Sequence, residues 1–147
     1  MTAAASAHEE LRVFLDANIL SSASLKPHTS FDRFWQMRGL MLLTSPYAAD
    51  EVRRNCFHPA QGEKFEILLL RMHLVSDAPG GYLPAGVSLP AKDAPILSAA
   101  IHAGADFLIT GDRHHFGRWM NRPIQTHLAV LMIQEPAAFL DEHLDRL

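Results

Sequence analysis

The chain has 147 residues, of which 48% are hydrophobic and 20% are charged, and its formal net charge at pH 7 is −3. This length suits one domain, and the slightly acidic balance argues against a protein that coats nucleic acid, which usually has a strong basic excess. The only cysteine, Cys56, excludes an intrachain disulfide, which agrees with a reducing cytosol. Because the sequence has neither a signal-peptide pattern nor a run of about 18 apolar residues, we expect a cytoplasmic protein without a membrane segment.

Strands and helices are predicted to alternate along the chain, after a flexible N-terminal tail over residues 1–10. Apolar runs predict five strands, over residues 11–15, 40–43, 74–75, 107–109 and 130–133. Helices are predicted over about 31–40 and after the starts at Ser45, Pro59, Asp93 and Pro136. Residues 77–91 are rich in proline and glycine and predict a long surface loop. Residues 11–147 therefore predict a single three-layer α/β domain with a mostly parallel sheet.

Four acidic residues in separate short motifs are the main functional signal. They are Asp16, Glu51, Asp93 and Asp112. Asp16 and Asp112 directly follow predicted buried strands, where an open α/β sheet gathers its functional groups. Carboxylates about 4 Å apart repel by about 4 kcal/mol per pair at an effective dielectric of 20, so such a cluster needs a cation or a proton. Hard oxygen ligands suit Mg²⁺ or Mn²⁺, and the motifs therefore indicate metal-assisted cleavage of a phosphodiester.

Each of these acids also has a purely structural interpretation. Asp16 and Asp112 are in positions typical of turns and helix caps, and Asp93 could be an N-cap. Glu51 could form a surface ion pair with Arg54, three residues further along a helix. The functional interpretation depends on the four motifs meeting at one place.

Several other residues are candidates for the same site. The neutral oxygens of Asn18 and Thr110 could support the acidic ligands. Basic and imidazole side chains near the motifs are candidates for contact with the phosphates of the substrate. They are Arg53, Arg54, Arg113, His114 and His115.

The motifs together resemble those of a known family. The blocks VFLDAN (13–18), KDAPILSAA (92–100) and LITGDRHHF (108–116), with Glu51 between them, resemble the four signature blocks of PIN-domain ribonucleases. They are most similar to the VapC-like toxins of bacterial toxin–antitoxin pairs, and the resemblance extends from about Arg12 to Leu140. It implies a five-stranded, mostly parallel sheet with the first and fourth strands adjacent at its centre, which would bring Asp16 beside Asp112.

The resemblance also implies an activity. It implies Mg²⁺- or Mn²⁺-dependent endonucleolytic cleavage of single-stranded or structured RNA, leaving a 5′-phosphate and a 3′-hydroxyl. Asp16, Asp93 and Asp112 would bind the ion, and Glu51 would complete the ligand set or position the attacking water. An antitoxin that covers the site is the implied partner, and homodimers are common in such families. Many members carry a further acid where this chain has His114, so one-metal and two-metal sites both stay open.

Two other functions compete with the ribonuclease. A phosphatase of the haloacid dehalogenase type also has an aspartate after its first strand, but it needs a second one two residues later, where this chain has Asn18. A non-catalytic module of the same fold could bind RNA or a partner without cleaving anything. The substitution Asp16→Asn separates this last alternative from a nuclease, because only a nuclease would lose its effect.

Overall fold

The computed structural model describes residues 10–78 and 83–147. The predicted tail over residues 1–10 lies outside this part of the chain except for Glu10, and so do residues 79–82 of the predicted loop. The described strands are β1 (Leu11–Leu15), β2 (Leu40–Thr44), β3 (His73–Leu74), β4 (Phe107–Ile109), β5 (Pro123–Gln125) and β6 (Val130–Gln134). The α-helices are α1 (Ala17–Ser24), α2 (Arg33–Gln36), α3 (Pro46–Arg54), α4 (Pro59–Leu70), α5 (Ala94–His102), α6 (Arg113–Phe116) and α7 (Pro136–Glu142).

The strands form one sheet in the order β3-β2-β1-β4-β6-β5. Every neighbouring pair is parallel except β5 with β6. The predicted three-layer α/β fold with a mostly parallel sheet is confirmed, and β1 and β4 are adjacent at its centre, as the resemblance implied. The predicted number of five strands is wrong, because the sheet of the described chain has six.

The strand that the sequence did not predict is β5. It has three residues and begins at Pro123, which lacks the backbone N–H of a ladder donor and so does not resemble a strand in sequence. It pairs antiparallel with β6 at one edge of the sheet, which is where a strand tolerates proline. This strand exists because the chain reverses direction before β6.

Most predicted helix starts are confirmed. Ser45 caps α3 by accepting a hydrogen bond from the N–H of Ala48 at 3.3 Å, and prolines occupy the first turns of α3, α4, α5 and α7. The helix predicted over 31–40 is shorter than expected: a 3₁₀ turn at Ser30–Asp32 is followed by α2, which ends at Gln36. Met37 is extended and Gly39 has a φ of 73°, so the backbone leaves the helical region before β2.

The core surrounds the two central strands. Val13, Phe14 and Leu15 of β1 are fully buried, as are Leu108 and Ile109 of β4. Continuous apolar runs of this kind are expected for parallel strands that are covered on both faces. None of the described helices has the length and apolar character that crossing a membrane would require.

Candidate active site

Asp16 lies at the carboxyl end of β1 and has both oxygens engaged. Its Oδ1 accepts a hydrogen bond from the N–H of Ala17 at 2.7 Å, which caps α1. Its Oδ2 accepts hydrogen bonds from the Thr110 hydroxyl at 2.8 Å and from Asn18 Nδ2 at 3.3 Å. The two residues proposed as supporting groups therefore hold this carboxylate in one orientation.

The ionisation of Asp16 is strongly perturbed. Burial raises its pKa to about 6 from an ordinary value of 3.8, since the side chain lies in the interior with only 6% of the residue exposed. Hydrogen bonds from Thr110 and Ala17 oppose the rise, whereas the charges of Glu51 and Asp93 add to it. The site therefore favours a proton or a cation at this position.

Asp112 lies just beyond β4 and caps the short helix α6. Its Oδ1 accepts a hydrogen bond from the backbone N–H of His115 at 3.0 Å, and its Oδ2 lies 2.8 Å from Nδ1 of the same histidine. Burial alone would raise the pKa of Asp112, but these hydrogen bonds and the charge of His115 outweigh it and lower the pKa. The N–H of Asp112 donates to Thr110 Oγ1 at 3.1 Å, so one threonine joins both aspartates.

Asp93 immediately precedes α5 but does not cap it with its side chain. The residue is 8% exposed, and its Oδ2 lies 3.0 Å from His115 Nδ1. His115 Nδ1 has hydrogen-bond geometry toward Asp112 Oδ2 but not toward Asp93 Oδ2. Asp93 Oδ2 is therefore buried without a hydrogen-bond partner. Burial raises the pKa of Asp93, and the charge of Asp112 adds to the rise, while His115 and Lys92 oppose it. The side chains of Asp16 and Asp112 each use one oxygen to cap a helix, whereas the side chain of Asp93 caps none.

Glu51 is half-buried on α3 and does not form the surface pair that the sequence allowed. Within the described residues no ion pair joins it to Arg54. The ion pairs nearby belong instead to Arg53, which binds Glu66 at 2.9 Å and Asp50 at 3.4 Å. Glu51 is close enough to Asp16 for its charge to raise the pKa of that residue.

All four predicted acids line a single cavity of about 460 Å³. Its acidic part contains Asp16, Glu51, Asp93 and Asp112, and Asn18 and Gly111 also line it. The remaining lining residues are Ile19, Ser22, Phe31, Lys92, Ile96 and Pro136. The cavity thus combines a carboxylate cluster with a largely apolar wall.

Lys92 is a functional candidate that sequence reasoning missed. It is exposed, and it is the only basic side chain among the described residues that line the cavity. The Tyr47 hydroxyl of α3 donates a hydrogen bond to its backbone carbonyl at 2.8 Å, which fixes the chain beside Asp93. The available signal was its position directly before Asp93 in the KDAP block.

Most candidates for RNA contact lie away from the cavity. Arg53, Arg54, Arg113 and His114 are exposed, and none of them is among the described residues that line it. Arg113 forms an ion pair with Glu135 at 2.6 Å. The fifth candidate, His115, turns inward to the acids instead, as its contacts with Asp93 and Asp112 show.

Three of these side chains have the spacing of metal ligands. Asp93, Asp112 and His115 each offer one donor atom, and the three atoms lie within 4.8 Å of one another. Asp16 lies outside this group, although it lines the same cavity. The buried oxygen of Asp93 without a hydrogen bond is costly in a protein interior, and a divalent cation would compensate it. The donor set therefore fits a divalent ion.

Comparison with known proteins identifies the family. The chain is similar in fold to VapBC2 from Rickettsia felis bound to a DNA fragment from their promoter, with a TM-score of 0.53, 16% identity, and coverage of 84% of this chain and 98% of that chain. It is also similar to VapC20 from Mycobacterium tuberculosis, a Sarcin-Ricin loop cleaving toxin, with a TM-score of 0.48, 15% identity, and coverage of 68% and 91% respectively. No curated protein sequence matches it. The family model of the PIN domain matches residues 12–114, well over half of the sequence, and the chain therefore belongs to the PIN-domain family.

Proposed function

We propose that the protein is a metal-dependent endoribonuclease and the toxin of a toxin–antitoxin pair. The observation that carries this proposal is the convergence of four acids, from four separate motifs, on one cavity. PIN-domain membership supports nuclease chemistry, and the signature blocks support the VapC-like toxin group. A phosphatase of the haloacid dehalogenase type is disfavoured by this membership and by Asn18, whose amide is engaged with Asp16, Thr110 and Gly111.

The residues proposed to hold Mg²⁺ or Mn²⁺ are Asp16, Asp93 and Asp112. When bound, a divalent ion would polarise the scissile phosphate and lower the pKa of a water molecule. Thr110 and Asn18 hold the Asp16 carboxylate in place, so little reorganisation is needed when the substrate arrives.

Glu51 is the proposed proton acceptor for the attacking water. Glu51 lines the cavity, and within the described residues its carboxylate accepts no hydrogen bond. A carboxylate in reach of the water can remove its proton as the water attacks phosphorus. This role complements the ligand role of the three aspartates.

The rest of the cavity suits a nucleotide chain. Lys92 offers a cation for a phosphate, and Ile19, Phe31, Ile96 and Pro136 offer an apolar wall for a sugar or a base. Unstacked bases of single-stranded RNA are commonly bound against aromatic side chains. We therefore favour single-stranded RNA, or loops within structured RNA, as the substrate.

The partner that follows from the toxin proposal is an antitoxin protein that occludes this cavity. It would inhibit the nuclease by excluding RNA from the acids. A homodimer is part of the same proposal, because it is common among VapC-like proteins. A purified cognate antitoxin should abolish cleavage when added at a stoichiometric amount.

The decisive experiment is a time course of cleavage on a mixed-sequence single-stranded RNA. We expect cleavage with Mg²⁺ or Mn²⁺, none with EDTA, and a loss of at least about 100-fold for Asp16→Asn, because oriented metal ligands contribute directly to such catalysis. Asp50→Asn is the matched control, since it replaces the same carboxylate by the same amide at an exposed position on α3. Unimpaired cleavage by folded Asp16→Asn, or cleavage in EDTA, would contradict the proposal.

A further inference from the structure

We propose that His115 Nδ1 is a ligand of the divalent ion, together with Asp93 and Asp112, and that this nitrogen makes the site prefer Mn²⁺ to Mg²⁺. The inference rests on the proposed nuclease function, since it concerns the ion of the same site. It assigns to His115 a direct role at the metal in place of contact with RNA.

The spacing of the three donor atoms supports this assignment. His115 Nδ1 lies 2.8 Å from Asp112 Oδ2 and 3.0 Å from Asp93 Oδ2. Adjacent ligands about 2.1 Å from an octahedral ion are about 3.0 Å from one another. Both separations from His115 Nδ1 thus match those of neighbouring ligands of an octahedral ion, and all three donor atoms lie within 4.8 Å of one another.

Asp93 supplies a second, independent observation. The residue is only 8% exposed, its side chain makes no capping hydrogen bond at the start of α5, and its Oδ2 lies 3.0 Å from His115 Nδ1 but accepts no hydrogen bond. A buried carboxylate oxygen without a hydrogen bond is rare and costly. Coordination by a shared cation explains why this oxygen faces the imidazole without receiving a hydrogen bond from it.

The local structure holds His115 in position. Its backbone N–H donates to Asp112 Oδ1 while its ring contacts Oδ2 of the same carboxylate, so the two residues approach each other in a fixed geometry. The next residue, Phe116, is fully buried and anchors α6 to the core. His114, by contrast, is exposed, and the structure therefore selects one of two consecutive histidines.

A nitrogen ligand changes the ion preference of an otherwise oxygen-based site. Mg²⁺ binds through carboxylate, phosphate and water oxygens and keeps much of its hydration shell. First-row transition ions accept imidazole more readily, and their affinities rise along the series that Mn²⁺ begins. We therefore expect Mn²⁺ to bind this chain more tightly than Mg²⁺ does.

The test is binding of Mn²⁺ to metal-free protein, followed by electron paramagnetic resonance, with Mg²⁺ as competitor. We expect His115→Ala to weaken Mn²⁺ binding at least about 10-fold, the usual scale for a lost group at a metal site, and to weaken Mg²⁺ binding less. His114→Ala is the matched control and should change Mn²⁺ affinity by less than about 2-fold, since an exposed neighbour is not a ligand. Unchanged Mn²⁺ affinity in His115→Ala would overturn the inference.

A spectroscopic measurement guards against a variant that simply misfolds. Electron spin-echo modulation of bound Mn²⁺ should report a coupled nitrogen in the wild type and in His114→Ala, and ¹⁵N-labelled histidine should change that signal. Absence of histidine nitrogen coupling in the wild type would refute His115 as a ligand, even where His115→Ala binds poorly. RNA cleavage without nitrogen coupling would support the nuclease function and refute His115 as a ligand. Nitrogen coupling in folded protein that cleaves no RNA would support His115 as a ligand and contradict the nuclease function.

Discussion

The carboxyl group of Asp16 has a pKa of about 6 in the folded protein against 3.8 for the ordinary group, chiefly because it is buried. A raised pKa means that the folded chain binds this proton more tightly than the unfolded chain. The contribution of Asp16 to the stability of the protein therefore falls as pH rises from about 4 to about 6, and above that range its cost is constant. A difference of about two pKa units corresponds to about 3 kcal/mol.

This sign predicts that Asp16→Asn is more stable than the wild type in EDTA at pH 8. We expect a gain of about 2 kcal/mol, because the neutral amide avoids the cost of ionisation but loses part of the hydrogen bonding to Thr110. The gain should disappear near pH 4, where the wild-type carboxyl is protonated in the folded state. Urea unfolding followed by circular dichroism at both pH values measures it. A variant that is less stable at pH 8 would show that burial does not dominate this ionisation.

The 3₁₀ turn Ser30–Asp32 positions Phe31 in the apolar wall of the cavity. Asp32 accepts a hydrogen bond from the N–H of Thr29 at 3.1 Å and forms an ion pair with Lys64 of α4 at 2.8 Å. Burial alone would raise the pKa of Asp32, but these contacts with Lys64 and Thr29 outweigh it and lower the pKa. A lowered pKa gives stability that is present above the ordinary pKa and is lost as pH falls below it.

Thr29 and Asp32 form a capping box, in which the side chain of each accepts a hydrogen bond from backbone N–H groups of the turn. We expect Asp32→Ala to lower the free energy of unfolding at pH 7 by about 1–2 kcal/mol, because it removes half of this box and a partly buried ion pair. The difference from the wild type should shrink as pH falls below about 4, because the unfolded chain then takes up a proton at Asp32 before the folded chain does. Thermal or urea unfolding measures both effects. Asp50→Ala removes a more exposed acid from an ion pair with Arg53 and should cost less than about 0.5 kcal/mol. Equal effects of the two substitutions would contradict the structural role of the capped turn.

The elements differ in how far the sequence predicted them. The start of α3 was predictable because Ser45 and Pro46 are local signals, and β1 and β4 were predictable because each is an apolar run. The strand β5 was not, because three residues that begin with proline form a strand only where β6 provides a partner. Local patterns therefore predicted the elements that depend on local preference and missed the one that depends on pairing.

The C-terminal helix α7 joins distant parts of the whole molecule. Phe139 is fully buried, and its ring centroid lies 5.7 Å from that of Phe34 and 5.0 Å from that of Phe107. The His143 ring stacks on it at 4.1 Å. One side chain thus connects α2, β4 and α7, which are far apart in sequence.

We expect Phe139→Ala to reduce the free energy of unfolding by about 3–5 kcal/mol, because it leaves a cavity between three elements. This is a large fraction of the roughly 5–15 kcal/mol that stabilises a typical domain. Urea unfolding measures this loss of stability, and the transitions of the variant followed by near- and far-ultraviolet circular dichroism should coincide. Leu144→Ala, at an exposed position close by, should change stability by less than about 0.5 kcal/mol. A cost below about 1 kcal/mol for Phe139→Ala would show that α7 is not part of the cooperative core.

The sequence by itself determined the fold class, the order of most elements and the four acidic motifs, because apolar periodicity and capping are properties of neighbouring residues. Only the tertiary structure decided which side chains of these motifs and their neighbours contact one another. It engages Arg53 and Arg113 with Glu66 and Glu135, and it turns His115 inward. These outcomes depend on burial and on contacts between residues distant along the chain, such as the hydrogen bond from Thr110 to Asp16. No local pattern encodes them, since the free energy of each contact arises only when the strands pair and exclude water.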